Sequence, residues 1–202
     1  MRFILSASMV IATCYASNSY SAPVPKDTKA IGCEYQPNQK GTVWTYEFSK
    51  GVVETRKITK NEVRDGSVLL TIEVSPARNG DKYTLDIEAN KSGIFMLAFD
   101  NVKYDPADML FSMPFKAQAE WKRLPQKSDK AKVSHKCGII EEVSVPFGTF
   151  KCILIDTTTT EASVAMDERT WYASGVGIIK YESRLQSGLW STMQLKTFKL
   201  GK

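Results

Sequence analysis

The sequence predicts a mainly β protein: a single strongly curved antiparallel sheet of about ten strands, a half-barrel or partly closed barrel, with one short helical crossing segment. Three observations predict it. Beyond residue 40, apolar and polar side chains alternate with period two along most of the chain. Gly, Asn, Asp and Pro punctuate that alternation at short intervals. No stretch of ten or more residues carries a 3.6-residue apolar period.

Taken in order, Trp44, Tyr46 and Phe48 alternate with Val43, Thr45 and Glu47 in the first strand, and Ser49-Lys50-Gly51 turns the chain. Residues 52–63 form a second extended run, closed by Arg64-Asp65-Gly66, a strong hairpin signal because Asp-Gly adopts positive φ readily. Residues 67–75 are rich in Val, Leu, Ile and Thr, and Asn79-Gly80-Asp81 ends them. Residues 82–89 alternate Tyr83, Leu85 and Ile87 with Thr84, Asp86 and Glu88, and Asn90-Lys91-Ser92-Gly93 leads into residues 94–99.

The middle reads differently. Pro106 and Pro114 bracket Ala107-Asp108-Met109-Leu110-Phe111, enough for one helical turn that packs Met109, Leu110 and Phe111 onto the sheet. Residues 126–132 are polar and rich in lysine, an exposed loop. Strands resume over 133–145, and Pro146-Phe147-Gly148 turns the chain into 149–158. Residues 161–167 read as a loop. Residues 168–172, 178–185 and 189–199 close the sheet, with Gly175, Gly177 and Gly188 at the joints.

A flat open sheet of this size exposes two long edges, which invites edge-to-edge association. Rolling the sheet around one core avoids that and matches strands with one apolar and one charged face. Residues 41–200 therefore read as a single antiparallel β domain, preceded by an extended lead over 22–40.

Composition excludes several classes. The chain has 202 residues, 43% of them hydrophobic and 24% charged, which rules out a disordered tail or a multi-span membrane protein. The net charge of +5 comes from 27 bases against 22 acids scattered along the chain, so no nucleic-acid footprint is expected. A single histidine, His135, argues against histidine-rich metal sites and most Ser-His or Cys-His arrangements.

The first residues have the layout of an export signal. Met1-Arg2 supplies a basic start, and Phe3 to Ala16 a short apolar stretch. Ser19-Tyr20-Ser21 places small residues where a signal peptidase reads. Residues 1–21 are assigned as a signal peptide, and the chain as exported, periplasmic or secreted. The apolar stretch is shorter than the about 20 residues that span a bilayer, so no transmembrane segment is expected in the mature chain. Cleavage after Ser21 also removes Cys14 and leaves Cys33, Cys137 and Cys152 in an oxidising compartment. Those three are the disulfide candidates. A tight turn over 145–149 pairs residues whose numbers sum to about 294, which sets Cys152 opposite Glu142 and Cys137 opposite Thr157. The two are then about 16 Å apart along the strand, beyond the about 7 Å a bridge allows, and Cys33 is the better partner for either.

Three stretches carry a family resemblance: Gly41-Thr42-Val43-Trp44-Thr45-Tyr46, the run from Val143 to Cys152 around Val145-Pro146-Phe147-Gly148, and Trp171-Tyr172-Ala173-Ser174-Gly175-Val176-Gly177. In this order and spacing they resemble the TapB-like exported bacterial proteins of unknown function. That resemblance implies the curved sheet of the LolA/LolB lipoprotein carriers. It carries over a fold and a compartment, and no catalytic residue. The sequence departs from it where Ala119-Glu120-Trp121 lacks a preceding glycine and where Ser174 stands for a common proline.

No catalytic constellation, metal-ligand set or cofactor motif stands out. His135 reads as a surface or hydrogen-bonded histidine, and Asp105 and Asp108 as capping or loop residues. Glu141-Glu142 and Asp167-Glu168 each point to opposite faces of a strand, so neither pair converges on a substrate. Gly175-Val176-Gly177 lacks the helix and Lys-Ser/Thr pair of a phosphate loop. The aromatics are the arguable binding feature. Trp44, Tyr46 and Phe48 share a face, and with Trp171 they are the candidate apolar lining of a cavity that would take a lipid or a lipidated protein. The reading is thus a non-catalytic envelope protein, with a structural module around a filled core as the alternative.

Overall fold

The computed structural model describes residues 32–49, 51–76, 80–124, 131–161, 164–184 and 188–202. The expected signal peptide lies outside them.

Twelve strands follow one another: Val43–Phe48 (β1), Val53–Arg64 (β2), Ser67–Ser75 (β3), Tyr83–Asn90 (β4), Gly93–Phe99 (β5), Val102–Ser112 (β6), Glu120–Lys122 (β7), Lys132–Val145 (β8), Gly148–Glu161 (β9), Val164–Ala173 (β10), Gly177–Arg184 (β11) and Trp190–Lys199 (β12). They form one sheet in the order β6-β5-β4-β3-β2-β1-β12-β11-β10-β9-β8-β7, every neighbour antiparallel. Each hairpin adds a strand beside the last, and β1 joins β12 in the centre.

The strand pattern corrects the sequence reading in three places. The expected helical segment is β6, an extended edge strand. Pro106 sits at this edge, where its missing N–H removes no bond from a central ladder. Ala119-Glu120-Trp121 contributes the short opposite edge, β7, which together with β6 makes twelve strands instead of ten. The expected loop over 161–167 is mostly strand, since β9 runs to Glu161 and β10 starts at Val164. Among the described residues there is no helix.

The ladder does not close into a barrel. The sheet rolls until its two edges face each other through side chains. The Trp121 indole N–H (β7) donates to the Met109 carbonyl (β6) at 2.8 Å, and Arg123, just past β7, lies 3.8 Å from Asp108 on β6. Bulges supply the bending, among them register shifts in β5–β6 at Ile94/Phe95 and Met96/Ala98 and in β8 between Cys137 and Ile140.

One face of the rolled sheet is the core. Trp44, Tyr46, Ile58, Val68, Leu70, Ile72, Val74, Ile94, Phe111, Ile155, Met193 and Leu195 are all buried there. At the end holding the β2–β3, β4–β5, β8–β9 and β10–β11 turns the core is plugged. Cys33 is buried, and the Tyr35 ring packs on Phe111 at 5.0 Å, with Phe111 against Tyr172 at 4.9 Å. The Gly175 N–H donates to the Glu34 carbonyl at 2.8 Å, which ties residues 32–37 under the β10–β11 turn. The β8–β9 hairpin tip folds onto the same end: the Phe147 N–H donates to the Leu195 carbonyl at 3.1 Å, and its ring meets Phe198.

The cysteines Cys33, Cys137 and Cys152 are free and buried, so the expected bridge is not formed. Burial is also the main reason their thiols resist ionisation: Cys33 is pushed up to about 11, Cys152 to about 12, and Cys137 upward. Cys152 pairs with Glu141 and Cys137 with Ile155, where the sequence placed Glu142 and Thr157. The tight turn pairs Val145 with Gly148, one step from the expected register, and the β8 bulge adds a second step.

Candidate functional site

The concave face stays open at the end opposite the plug. Two adjoining chambers occupy it, sharing Arg56, Tyr181 and Met193 as walls. The outer one, of about 450 Å³, opens between Phe48, Tyr83, Phe99 and Asp100. The inner one, of about 270 Å³, runs under the seam between the sheet edges, past Asp108, Arg123 and His135 to Ile155, Thr170 and Tyr172.

The alternation that builds the core also aims charged groups into these chambers. Glu54 and Arg56 share parity with Ile58 on β2, and pairing of Arg56 with Trp44 puts them on the concave face. Arg56 Nε donates to Glu54 Oε1 at 2.8 Å, its guanidinium lies 5.0 Å over the Tyr46 ring, and Nη2 meets Met193 Sδ at 3.5 Å. Glu54 is only 2% exposed, with Arg56 as its hydrogen-bonded partner. On the facing wall the Tyr181 hydroxyl donates to Glu168 Oε1 at 2.6 Å. Burial first, and the Glu168 charge second, push the Tyr181 phenol well above its ordinary range.

At the seam, three polar side chains from three strands or their flanks converge. Asp108 (β6) and His135 (β8) are 7% and 4% exposed, and Arg123 follows β7. His135 Nδ1 is 2.9 Å from the Thr157 hydroxyl of β9, and the Trp121 ring stacks on the imidazole at 5.2 Å and 17°. Asp108 Oδ1 and His135 Nε2 face each other at 3.9 Å, too long for a hydrogen bond, and neither has a hydrogen-bond partner among the described residues. Arg123 Nη1 lies 3.8 Å from the other carboxylate oxygen, Oδ2.

Thr157, His135 and Asp108 stand in the order of a hydroxyl–imidazole–carboxylate relay. Acyl transfer also needs donors aimed at a developing oxyanion, whereas the ladder bonds of β8 and β9 run between the strands and not into the chamber.

The sequence-predicted lining distributes unevenly over this geometry. Phe48 lines the outer chamber. Tyr46 lies beneath Arg56, its hydroxyl donating to the Ile178 carbonyl at 3.0 Å. Trp44 is core, its indole N–H donating to the Val176 carbonyl at 2.6 Å. Trp171 stands between Thr170 and Tyr172, both of which face the inner chamber, so alternation turns it away. Its indole N–H donates to Glu141, and Lys180 Nζ sits 4.6 Å over its ring. Sequence reasoning weighed Asp108 and Glu168 without placing them at a site, and missed Glu54, Arg56, Arg123 and Tyr181. Shared parity of Glu54 and Arg56 with Ile58 was the available signal for two of them. Among the described residues no group of three or more His, Cys, Asp or Glu could hold a metal ion, and no helix is long and apolar enough to cross a membrane.

A family model described as DUF3108-like matches residues 42–195, nearly the whole described sheet. No curated protein matches the chain. Two solved structures resemble it. One is a candidate exported protein of Bacteroides fragilis with a YmcC-like fold, at TM-score 0.55 and 16% identity, covering 81% of this chain and 97% of that one. The other is a candidate lipoprotein of Parabacteroides distasonis, at TM-score 0.52 and 17% identity, covering 82% and 98%. At such identities the likeness is one of fold. Neither match names the TapB-like proteins or the LolA/LolB carriers.

Proposed function

The chain belongs to the DUF3108-like family, and we propose that it is an exported, non-catalytic envelope protein that holds one amphipathic guest in the chambers of its concave face. The observation that carries this reading is the contrast between the two ends of the sheet. One is filled by Tyr35, Phe111, Tyr172 and Phe147. The other leaves chambers of about 450 and 270 Å³ with apolar walls and fixed polar groups. Export accords with the expected leader and with the descriptions of the two solved neighbours.

The guest is amphipathic because the walls are. Met193, Ile155, Ile178 and Phe48 suit a chain of methylenes, while Arg56, Glu168, Asp108 and His135 suit a polar head. About ten buried methylenes at about 0.8 kcal/mol each contribute about 8 kcal/mol, the scale of micromolar affinity before ordering costs. Fluorescence titration of the delipidated mature protein with a fatty-acyl probe tests this. Saturable binding by the wild type, lost in Thr170→Phe, which fills the inner chamber, supports the reading. No saturable binding refutes it.

A second reading, an interaction module, has its own observation. Exposed apolar side chains gather at the open end: Val52 and Val53, Phe99 and Val102, Leu124, Leu189 and Trp190. A guest-free protein that still captures a partner through this rim would favour it.

A further inference from the structure

We propose that the gap between Asp108 and His135 is a hydroxyl-binding site, and that the guest's head is therefore a neutral polyol of glycerol or sugar type. This rests on the reading that the chambers hold a guest. It names what the seam would recognise.

Two buried polar atoms without hydrogen-bond partners among the described residues, 3.9 Å apart and both on the wall of one chamber, form an incomplete hydrogen-bond system. An oxygen about 2.8 Å from each completes it. The chemistry of the two sides selects the group. Asp108 Oδ1, as a carboxylate oxygen, only accepts. The same carboxylate repels a lone pair on the facing imidazole nitrogen. This favours the tautomer with hydrogen on Nε2, Nδ1 accepting from the Thr157 hydroxyl. The gap thus presents one acceptor and one donor, and a single hydroxyl donates to the first while accepting from the second. An ether or ester oxygen cannot donate to Asp108, and an ammonium cannot accept from His135.

Charge points the same way. Arg123 lies by Asp108, Arg56 is bonded to Glu54, and Glu168 takes the Tyr181 proton donor. A carboxylate or phosphate head would add an unmatched negative charge beside Asp108 and Glu168. At the gap itself a cationic head would meet the His135 Nε2 donor and the Arg123 guanidinium beside Asp108. The site is also held ready: Trp121 stacks on His135 and is itself anchored to Met109 across the seam. Apolar walls at Leu110 and Met193 lead from the gap toward the outer chamber, where a tail would lie.

Isothermal titration of the mature protein with octyl glucoside, octanoate and octylammonium, below their micelle concentrations at neutral pH, compares one chain with three heads. The expected result is at least tenfold tighter binding of octyl glucoside than of either ion. That preference should fall below threefold in Asp108→Ala and in His135→Phe, each checked for an intact thermal transition. Should a variant fail to fold, the wild-type ranking still decides. Equal binding of all three, as when only solvent fills the gap, overturns the head-group assignment and leaves the chamber reading standing. Tightest binding of an ion does the same. No binding of any of them overturns both.

Discussion

Replacing Arg56 by Met isolates the polar element most deeply set in this sheet. The substitution keeps a long apolar stem against Tyr46 and Met193 but removes the guanidinium bonded to Glu54 at 2.8 Å. Two unit charges about 4 Å apart attract by about 4 kcal/mol at an effective dielectric of 20, and truncating one partner of a buried pair costs about 3–5 kcal/mol. Glu54 is 2% exposed and cannot recover that loss from solvent. Arg56→Met should therefore lower the unfolding free energy by about 3–5 kcal/mol, read from the shift of a urea midpoint at unchanged slope. The double variant Glu54→Gln, Arg56→Met removes the stranded charge and should recover most of the loss, to within about 1 kcal/mol of wild type. A single variant that loses less than about 1 kcal/mol, or a double variant as unstable as the single, would show that Glu54 reaches water and that the chamber floor is wetter than the geometry implies.

Other outcomes follow from neighbouring features. Trp44→Phe removes the 2.6 Å donor to the Val176 carbonyl and should cost about 1–3 kcal/mol in chemical denaturation, since that carbonyl stays buried. Gly93→Ala forces a Cβ against the Phe111 carbonyl at a φ of 144° and should cost about 1–3 kcal/mol more than Gly66→Ala, whose added Cβ meets open space. The three thiols should react with a disulfide reagent only at the rate of unfolding at neutral pH, because they are buried and protonated. Their folded values lie above the ordinary 9.0, so the stability linked to them is complete below pH 9. It is lost as pH rises through about 11 for Cys33 and about 12 for Cys152, and circular dichroism against pH in reducing buffer checks this.

How much of this was legible in the sequence depends on how regular each strand is. The hairpin at Arg64-Asp65-Gly66 was readable, since Asp65 and Gly66 take φ of 49° and 82° to join β2 and β3. The opposed carboxylates were readable too: Glu168 faces the chamber while Asp167 meets the Thr158 hydroxyl and Arg184 elsewhere. Asp108 was not. Two register shifts in β5–β6 break the alternation that would have aimed it inward, and the bracketing prolines imitated a helical turn. His135 was read as a surface or hydrogen-bonded histidine, and the structure has it buried and within hydrogen-bond distance of Thr157. Its placement opposite Asp108 depends on how far the sheet rolls, because the two strands lie ten places apart in the sheet order and meet only across the seam. Curvature of that kind arises from bulges spread over many strands, and no short window of sequence encodes it. Of the three β1 aromatics two serve the core: Trp44 donates to the buried Val176 carbonyl and Tyr46 to the half-buried Ile178 carbonyl.

The claim that the open end of the sheet holds a guest is tested most directly by mass spectrometry of small molecules released on denaturing the mature protein purified from its native envelope. The account predicts one class of hydroxyl-headed amphiphile, near one per chain in the wild type and absent from Thr170→Phe purified in parallel. A wild-type protein that releases nothing, or both proteins releasing the same mixture of bulk membrane lipids, would contradict it.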